Sequence, residues 1–495
     1  MDSIKKFLKN PLFHLSLVLI LGLLLRLREF SSTSFWFDEA FTGVTIRLPW
    51  TEMFEVVSAD RVHPPLYYVL IRLWSNIFGF TQSGIRAFSL CCGLMCIVVV
   101  YLIGKDFFHA RKKSKYPLSG LVMAFALSIS PFFVSYSVEA RSYSLICLEV
   151  LFSIFFALKY VCDGYKWKHL FMLVIAFIAL FFTHYLQVVF VIAVIIAVIF
   201  YRYIFTKKGV NTRLLLAFLV VAVLAVVSSF LFPIKEFLRA RNMQSLEWIP
   251  DLSIRDTIRY NYSYFFGVIR FTNGVPDMRE MIFSLSPYIM ASVIFLVHIF
   301  LFILVLKSKS IEREIKRRVT FLFVLWSISY FGFLFLGVLG VNVLVERYTI
   351  GCGITMLMSF FLLSSLLLNS KKALLPLSIY VVLVLMVKPL PKCMDFRTVS
   401  GILKNVNSVN RVVFKNPAQY VVSTFYIDDR DLYYLHWENE VYENWATIKK
   451  EYGIAYVDLV SNDLLFVSPS QEYEYLESGF DKIFENEYIV LLRKI

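Results

Sequence analysis

About eleven long apolar runs constrain what this chain can fold into. They cover residues 11–27, 84–104, 117–134, 143–161, 169–184, 186–203, 214–232, 283–306, 319–340, 348–368 and 373–388. The hydrocarbon core of a bilayer is roughly 30 Å thick, so one helix needs about 20 apolar residues to cross it. Only 17% of the 495 residues are charged, whereas a soluble globular domain carries about a quarter. The sequence therefore predicts a polytopic all-α membrane domain of about 11 transmembrane helices over residues 1–388.

A shorter run at residues 66–80 is amphipathic rather than uniformly apolar. One side of the helix it would form carries Leu66, Val69, Leu70, Leu73, Trp74 and Ile77. A helix of this kind lies in the plane of the lipid headgroups instead of crossing the bilayer. The predicted fold therefore includes interfacial helices beside the spans.

Lysine and arginine are distributed unevenly over the loops, and the formal net charge is +14. Basic clusters stand at residues 5–9, 105–115, 166–168, 202–213, 307–318 and 371–372. Cytoplasmic loops of membrane proteins carry such an excess, so the charge indicates orientation in a bilayer rather than nucleic-acid binding. We expect a cytoplasmic N-terminus and, with an odd number of spans, an extracytoplasmic C-terminal region.

The chain changes character at Lys388-Pro389-Leu390-Pro391. Residues 395–409 and 443–452 suit helices, while 419–426 and 487–493 suit strands. Alternating short helices and strands predict a small soluble α/β domain over residues 389–495. The seven cysteines fall mostly inside apolar runs and do not form the pattern of a disulfide framework.

Two polar motifs stand in the first predicted outer loop, residues 28–83. Asp38 and Glu39 follow three aromatic residues, and His63 precedes two prolines and Tyr67. The acidic pair is also what a helix N-terminus commonly carries, and His63 alone could be a surface residue beside a rigid turn. Ionisable groups at the ends of membrane helices are nonetheless candidates for a functional site.

Further polar groups stand at the same predicted side of the membrane. They are Arg86, Tyr136, Glu139, Arg141, His184, Glu346, Arg347 and Tyr348. Such charges could pair with one another for structural reasons alone. Guanidinium groups also fork onto phosphate oxygens, and a carboxylate beside them can take a proton from an acceptor hydroxyl or amine. Transfer from a lipid phosphate fits this combination, whereas a metal–thiolate or Ser-His-Asp mechanism finds no matching residues.

The large outer loop at residues 233–282 mixes basic, acidic and aromatic residues. Its aromatic group comprises Tyr260, Tyr262, Tyr264, Phe265 and Phe266. We favour an interfacial helix with an aromatic belt here, and a gate for the acceptor or the lipid tail is the alternative.

The order of these motifs resembles the GT-C superfamily glycosyltransferases. Asp-Glu-Ala at 38–40, HPPLYY at 63–68, RAFS at 86–89 and SYSVEARSYSL at 135–145 carry the resemblance. It points to the bacterial branch related to dolichyl-phosphate-mannose protein mannosyltransferases and to the lipid A aminoarabinose transferase. It covers residues 1–190 well, and beyond them it depends on hydropathy and Arg347-Tyr348.

The resemblance implies a membrane enzyme that moves a sugar from a polyprenyl-phosphate donor to an extracytoplasmic acceptor, with inversion. The acceptor would be a lipid, a glycan or a protein of the cell envelope, and the location a bacterial inner membrane. Asp38, with Glu39 beside it, occupies the catalytic position. The expected phosphate ligands are Arg141, Arg347, Arg86, His63 and Tyr67, supported by Glu139, Tyr136, Tyr348 and His184.

This chain carries His63 where similar enzymes carry a lysine before the two prolines. A neutral imidazole is a weaker phosphate ligand than an ammonium group, so more of the binding would depend on Arg141 and Arg347. No cofactor is required by this chemistry. Some similar enzymes hold a divalent metal, for which the candidate ligands here are Asp38, Glu39, His63, Glu139 and His184.

Three other functions compete with a glycosyltransferase. A lipid-sugar flippase or transporter would place its polar groups near the membrane midplane, in helices broken within two similar halves. A polysaccharide polymerase or ligase would use one large arginine-rich outer loop. A scaffold for envelope assembly would have no reason to keep these carboxylates.

Overall fold

The computed structural model of this chain describes residues 10–30, 34–59, 63–109, 118–207, 261–267, 278–339, 345–367 and 374–386. It also describes positions 212, 218, 219, 223 and 425 and six short strands between residues 412 and 494. The predicted run at 214–232 and most of the loop 233–282 therefore lie outside the described residues.

The described part of residues 10–386 is mostly helical. Its helices are α1 (Pro11–Phe30), α2 (Phe37–Thr45), α3 (Trp50–Ala59), α4 (Leu66–Phe78), α5 (Gln82–Phe107), α6 (Leu118–Ile129), α7 (Pro131–Ser137), α8 (Tyr143–Cys162), α9 (Trp167–Thr183), α10 (Val188–Thr206), α11 (Met278–Lys307), α12 (Arg313–Val338), α13 (Ile350–Leu367) and α14 (Leu374–Met386). A 3₁₀ turn at Tyr185–Gln187 joins α9 to α10, and residues 261–266 form a further helical segment.

Among the described residues, seven helices are long and apolar enough to cross a membrane, and an eighth is added if α6 and α7 form one span. That pair bends by 67°, because Pro131 has no N–H for a continuous helix and Ser130 before it is extended. Helix α9 and residues 376–385 of α14 are apolar but shorter. A polytopic helical domain is thus confirmed, while the count of about 11 spans stays a prediction.

Helices α8 and α13 occupy the centre of the bundle. Within their apolar windows, 72% and 83% of residues are buried, against 22% for α1 and 17% for α11. Helix α13 is apolar around its whole circumference, which is typical of a helix enclosed by others. It contacts α6, α8, α11 and α12, and α8 contacts α5 and α9. The ends of these central helices therefore position whatever lies at the mouth of the bundle.

The first loop folds into the short helices α2, α3 and α4. On α4, Tyr67, Tyr68 and Ile71 are buried, whereas Ile77 is 77% exposed and Phe78 is 55% exposed. This division is what an amphipathic helix at a bilayer surface requires. Burial of the two tyrosines turns the first turn of α4 toward the helical bundle.

The C-terminal strands form one mixed sheet. Its strands are β1 (Val412–Phe414), β2 (Leu432–Leu435), β3 (Tyr456–Val457), β4 (Leu464–Val467), β5 (Phe480–Glu485) and β6 (Val490–Lys494), in the order β3-β2-β1-β4-β6-β5. β1 is parallel to both β2 and β4, and β6 is antiparallel to β4 and β5. In the strand register, Val413 of β1 is paired with Tyr433 of β2 and with Leu465 of β4.

The sheet agrees with the prediction only in part. The predicted closing strand at 487–493 corresponds to β6. Within the predicted strand 419–426 only Phe425 is described, and its backbone is helical. The predicted helices 395–409 and 443–452 lie outside the described residues, so the α/β domain at 389–495 stays a prediction.

Candidate active site

Glu39 and Arg86 form a buried ion pair that fixes α2 on the bundle. Nε of Arg86 donates to Oε1 of Glu39 at 2.8 Å, and Nη2 donates to Oε2 at 2.7 Å. The two side chains are 1% and 2% exposed. Oε1 also accepts the backbone N–H of Ala140 at 2.8 Å. Glu39 thereby joins α2 to α5 and to the turn before α8.

The other hydrogen bonds of Arg86 are also made to groups of the protein. Nη1 donates to the carbonyl of Phe30 at 3.0 Å, and Nη2 donates to that of Ser34 at 3.1 Å. The predicted roles of Glu39 as a catalytic residue and of Arg86 as a phosphate ligand do not fit this geometry, because each charge is already neutralised by the other. The pair instead holds the segment that carries Asp38.

Asp38 stands in the first turn of α2 with its side chain 20% exposed. Nη1 of Arg347 lies 3.4 Å from Oδ2 of Asp38. Oδ1 has no hydrogen-bond partner among the described residues. One carboxylate oxygen is therefore oriented by a guanidinium, while the other is left to accept a proton.

Arg141 lies buried behind Asp38, with 4% of its surface exposed. Its Nη1 donates to the backbone carbonyl of Asp38 at 3.3 Å and to Oγ1 of Thr42 at 3.3 Å. Its Nη2 lies 2.9 Å from Nε2 of His63. An imidazole nitrogen that accepts from a guanidinium must carry a lone pair, so this contact requires neutral His63. Arg141 thus connects the acidic motif to the His-Pro-Pro motif.

Aromatic rings surround this group. The rings of His63 and His184 are 5.2 Å apart, and those of His184 and Tyr348 are 5.1 Å apart. Tyr136 packs on Tyr143 at 5.0 Å. These rings bring the ends of α7 and α9 and the starts of α8 and α13 around the arginines.

Tyr67 presents a buried phenol without a partner. Its side chain is 2% exposed, and its Oη has no hydrogen-bond partner among the described residues. Burial raises the pKa of Tyr67 well above its ordinary value, against the opposing charge of Arg141. The phenol stays protonated and is a donor available to a ligand.

Arg347 stays positively charged at the edge of this group of residues. Burial alone would lower the pKa of its guanidinium, but the Tyr143 and Tyr348 phenols and the Asp38 carboxylate raise it above the ordinary value. The indole of Trp36 lies under it, with 5.8 Å from the guanidinium carbon to the ring. A permanent positive charge therefore stands beside the Asp38 carboxylate.

Most of the predicted site residues lie in one group. Direct contacts link Asp38 to Arg347 and Arg141, and Arg141 to His63, while His184 and Tyr348 pack beside them. Glu139 is buried close to the Tyr136 phenol, and its backbone carbonyl accepts the N–H of Arg141 at 2.7 Å. Its carboxylate therefore borders the group at Tyr136.

The sequence interpretation missed several residues of the group. Oη of Tyr68 lies 3.5 Å from Nη1 of Arg141, and Thr42 accepts from the same atom. Tyr68 is adjacent to Tyr67 in the motif, and Thr42 is four residues after Asp38 on the same helix face. Both positions could have been found from spacing.

Three of the five candidate metal ligands are already engaged by arginines. Asp38 faces Arg347, Glu39 is held by Arg86, and His63 accepts from Arg141, so a cation already lies beside each of these three. Among the described residues, no three His, Cys, Asp or Glu side chains stand close enough to hold an ion. We therefore derive no step through a metal at these residues.

Three aromatic residues of the loop 233–282 lie in the core rather than in a surface belt. Tyr264 is fully buried, and Phe265 and Phe266 are 2% and 5% exposed. Tyr264 packs against Phe132, and Phe265 packs against Phe361 and Tyr380. This segment is part of the core, and Tyr260 lies outside the described residues.

Comparison with known proteins matches the segment that carries most of these groups. The family model described as dolichyl-phosphate-mannose-protein mannosyltransferase matches residues 62–228, about a third of the chain. The match includes His63, Arg86, Arg141 and His184. No curated protein matches the chain in sequence.

One solved structure aligns with this chain over almost its whole length and shares its fold. ArnT from Cupriavidus metallidurans bound to undecaprenyl phosphate aligns with a TM-score of 0.50 at 13% identity, covering 97% of this chain and 98% of that chain. The same protein in the apo state gives 0.46 at 12% identity, with 97% of each chain covered. The Archaeoglobus fulgidus oligosaccharyltransferase in complex with Zn and sulfate gives 0.47 at 11% identity, covering 83% of this chain and 61% of that chain. The family match and the fold of ArnT confirm the resemblance to GT-C glycosyltransferases.

Proposed function

We propose that this chain is an integral-membrane glycosyltransferase that transfers a sugar from a polyprenyl-phosphate donor to an extracytoplasmic acceptor, with inversion. The observation that carries the proposal is the environment of Asp38. One of its carboxylate oxygens faces Arg347, the other is unpartnered among the described residues, and Arg141 holds the backbone behind it. A base next to two cations is the arrangement that acid–base transfer from a phosphate ester needs.

The donor phosphate is proposed to bind between Arg141, Arg347 and Tyr67. The guanidinium groups supply charge-assisted hydrogen bonds, and the Tyr67 phenol supplies a neutral donor that has no other partner among the described residues. His63 orients Arg141 rather than serving as the main phosphate ligand. Tyr136, His184, Tyr348 and Glu139 shape the wall around these groups.

The transfer requires one base. An oxygen or nitrogen of the acceptor forms a bond to the anomeric carbon, and the bond from that carbon to the phosphate oxygen breaks. The electron pair of the broken bond stays on the polyprenyl phosphate, whose added negative charge Arg141 and Arg347 stabilise. Asp38 takes the acceptor proton at Oδ1. Attack from the face opposite the phosphate inverts the anomeric centre, and the mechanism requires no metal.

The site is proposed to face away from the cytoplasm. At the other end of the bundle, Lys159 pairs with Asp106 at 3.3 Å, and Arg318 donates to the carbonyl of Phe107 at 2.9 Å. Arg86 and Phe107 are 21 positions apart on α5, about 30 Å along a helix. Because basic loops stay in the cytoplasm, this end is cytoplasmic and the site is extracytoplasmic.

The polyprenyl-phosphate donor class is supported by the match to a dolichyl-phosphate-mannose-dependent family and by the fold shared with ArnT bound to undecaprenyl phosphate. The bacterial inner membrane is proposed on the same resemblance. The acceptor is proposed as a cell-envelope lipid, glycan or protein.

The test is transfer by purified protein from a panel of radiolabelled polyprenyl-phosphate sugars to membrane acceptors. We expect transfer from at least one donor and a loss of about 10²-fold or more in Asp38→Asn, since a positioned base contributes 10²–10⁴ in rate. Asp106→Asn is the matched control, because it makes the same change at the opposite end of the bundle. Movement of the donor across vesicles without transfer would instead indicate a flippase, and an unchanged rate in Asp38→Asn would remove the base assignment.

A further inference from the structure

The side chain of Phe425 inserts beneath α2, far from its own position in the sequence. Its side chain is buried, 5% exposed. Its ring lies 4.6 Å from that of Phe35, and the guanidinium carbon of Arg47 lies 4.3 Å from its centre. Nη1 of Arg47 also lies 3.4 Å from the backbone carbonyl of Phe425. The residue is therefore held both by its ring and by its backbone.

Gly43 makes room for this ring. A Cβ atom at position 43 would stand 2.6 Å from Cε2 and 2.8 Å from Cδ2 of Phe425. Contacts below 3.0 Å force a displacement, so any larger residue at 43 is incompatible with the ring in its place. Gly43 is inside α2, where glycine is unfavourable by roughly 0.5–1 kcal/mol relative to alanine. The contact with Phe425, and not helix formation, therefore explains why a glycine stands at this position.

The ring contacts continue to the ion pair that fixes α2. Phe35 is fully buried between Phe425 and Arg86, with 5.2 Å from the guanidinium carbon of Arg86 to the Phe35 ring. Arg86 in turn holds Glu39, which adjoins Asp38. A series of packed groups therefore runs from the C-terminal region to the helix that carries the proposed base.

We infer that Phe425 is a positioning residue for Asp38: the C-terminal region sets the orientation of α2 through the contact of Phe425 with Gly43, Phe35 and Arg47. The inference deepens the proposed function and rests on it for its kinetic part. The C-terminal region thereby contributes to catalysis without touching the donor. Small displacements of a reacting group reduce rate far more than binding.

Two measurements on Phe425→Ala test the inference. We expect kcat to fall by about tenfold or more with the donor KM within about twofold, because the base is displaced while the phosphate ligands stay in place. We also expect faster hydrogen exchange at the α2 amides of Ala40 and Ile46, which donate to the carbonyls of Trp36 and Thr42. Phe331→Ala is the matched control, since that ring on α12 is 54% exposed, and it should change neither quantity.

Gly43→Ala supplies an independent variant that keeps Phe425. It favours helix formation, so a lost fold is not expected, yet its Cβ must displace the Phe425 ring. We expect the same fall in kcat and the same faster exchange in α2. In the double variant with Phe425→Ala both contacts below 3.0 Å are gone and only Cε2 of Phe35, at 3.2 Å, stays close, so Gly43→Ala should cause little further loss.

The outcomes separate the two proposals. Unchanged α2 exchange in Phe425→Ala overturns the positioning role whether or not the protein is active. Fully additive losses in the double variant also overturn it. A wild-type protein that transfers no sugar refutes the proposed function, while the exchange data still decide whether Phe425 holds α2.

Discussion

The imidazole of His63 accepts a hydrogen bond from the guanidinium of Arg141, with 2.9 Å between Nε2 and Nη2. This contact changes the meaning of the His-Pro-Pro motif. From the sequence, histidine in place of lysine predicts a weaker phosphate ligand. In the structure it is the acceptor that orients the arginine.

His63→Lys should therefore destabilise the free protein. An ammonium cannot accept from Arg141 and would place a second positive charge against it. We expect a loss of about 1–2 kcal/mol, which is a fall of roughly 1–2 °C in Tm for a chain of 495 residues. The measurement is thermal melting in detergent, with and without a polyprenyl phosphate.

Adding the lipid phosphate should reverse the effect, because its negative charge neutralises both cations and a ligand stabilises the state that it binds. His63→Asn keeps an acceptor oxygen and should melt close to the wild type. A His63→Lys protein that melts at or above the wild-type temperature without ligand would contradict the orienting role.

Removing Glu39 should be far more damaging than removing an exposed acid. Glu39→Leu leaves the Arg86 charge buried without its counter-ion, which typically costs about 3–5 kcal/mol. Pairing it with Arg86→Leu should recover part of that loss, because the unpaired charge is then gone. Thermal melting of the single and double variants measures the coupling.

Glu314→Gln is the control for this prediction. Glu314 pairs with Arg317 on α12, but its side chain is 52% exposed. Exposed pairs contribute about 0–1 kcal/mol, so its melting temperature should stay near that of the wild type. A Glu39→Leu variant that melts like Glu314→Gln would refute the structural role of the buried pair.

Features that depend on local sequence could be predicted, whereas the pairing of these distant charges could not. Apolar length is a local property, so the runs 11–27, 84–104 and 143–161 predict α1, α5 and α8 within a few residues. The bend at Pro131 also follows from a local rule, although apolar length alone predicts one span over 117–134. Periodicity and proline positions are sufficient for such features.

The roles of neighbouring acids could not be predicted in the same way. Asp38 and Glu39 are adjacent, yet their partners are far apart in the sequence. Asp38 contacts Arg347, 309 positions away, and Glu39 pairs with Arg86, 47 positions away. The order of motifs brought the right residues to one group, but only the packing of α5 and α13 decides which acid is neutralised. The contact of Phe425 with Gly43 has no local signature at all.

Close backbone packing offers a stability test away from the site. A Cβ at Gly104 on α5 would stand 2.4 Å from Cα and 2.5 Å from N of Gly120 on α6. Because the obstacle is backbone, Gly104→Ala must separate the two helices, and we expect a loss of about 1–3 kcal/mol. Gly332→Ala meets only Cγ1 of Val189, at 2.9 Å, and should be tolerated. Equal melting temperatures of the two variants would contradict this packing of α5 on α6.

The change Tyr67→Phe separates an effect on donor binding from an effect on the stability of the protein. Its buried Oη has no partner among the described residues, and an unsatisfied buried hydroxyl is unfavourable by about 1–3 kcal/mol. Tyr67→Phe should therefore keep or raise the Tm of the free protein. If the phenol donates to the donor phosphate, the same change should raise the donor KM about 5- to 10-fold, the loss of roughly one hydrogen bond. Steady-state kinetics and melting curves of one preparation measure both. A lowered Tm with an unchanged KM would show that the phenol serves the fold and not the ligand.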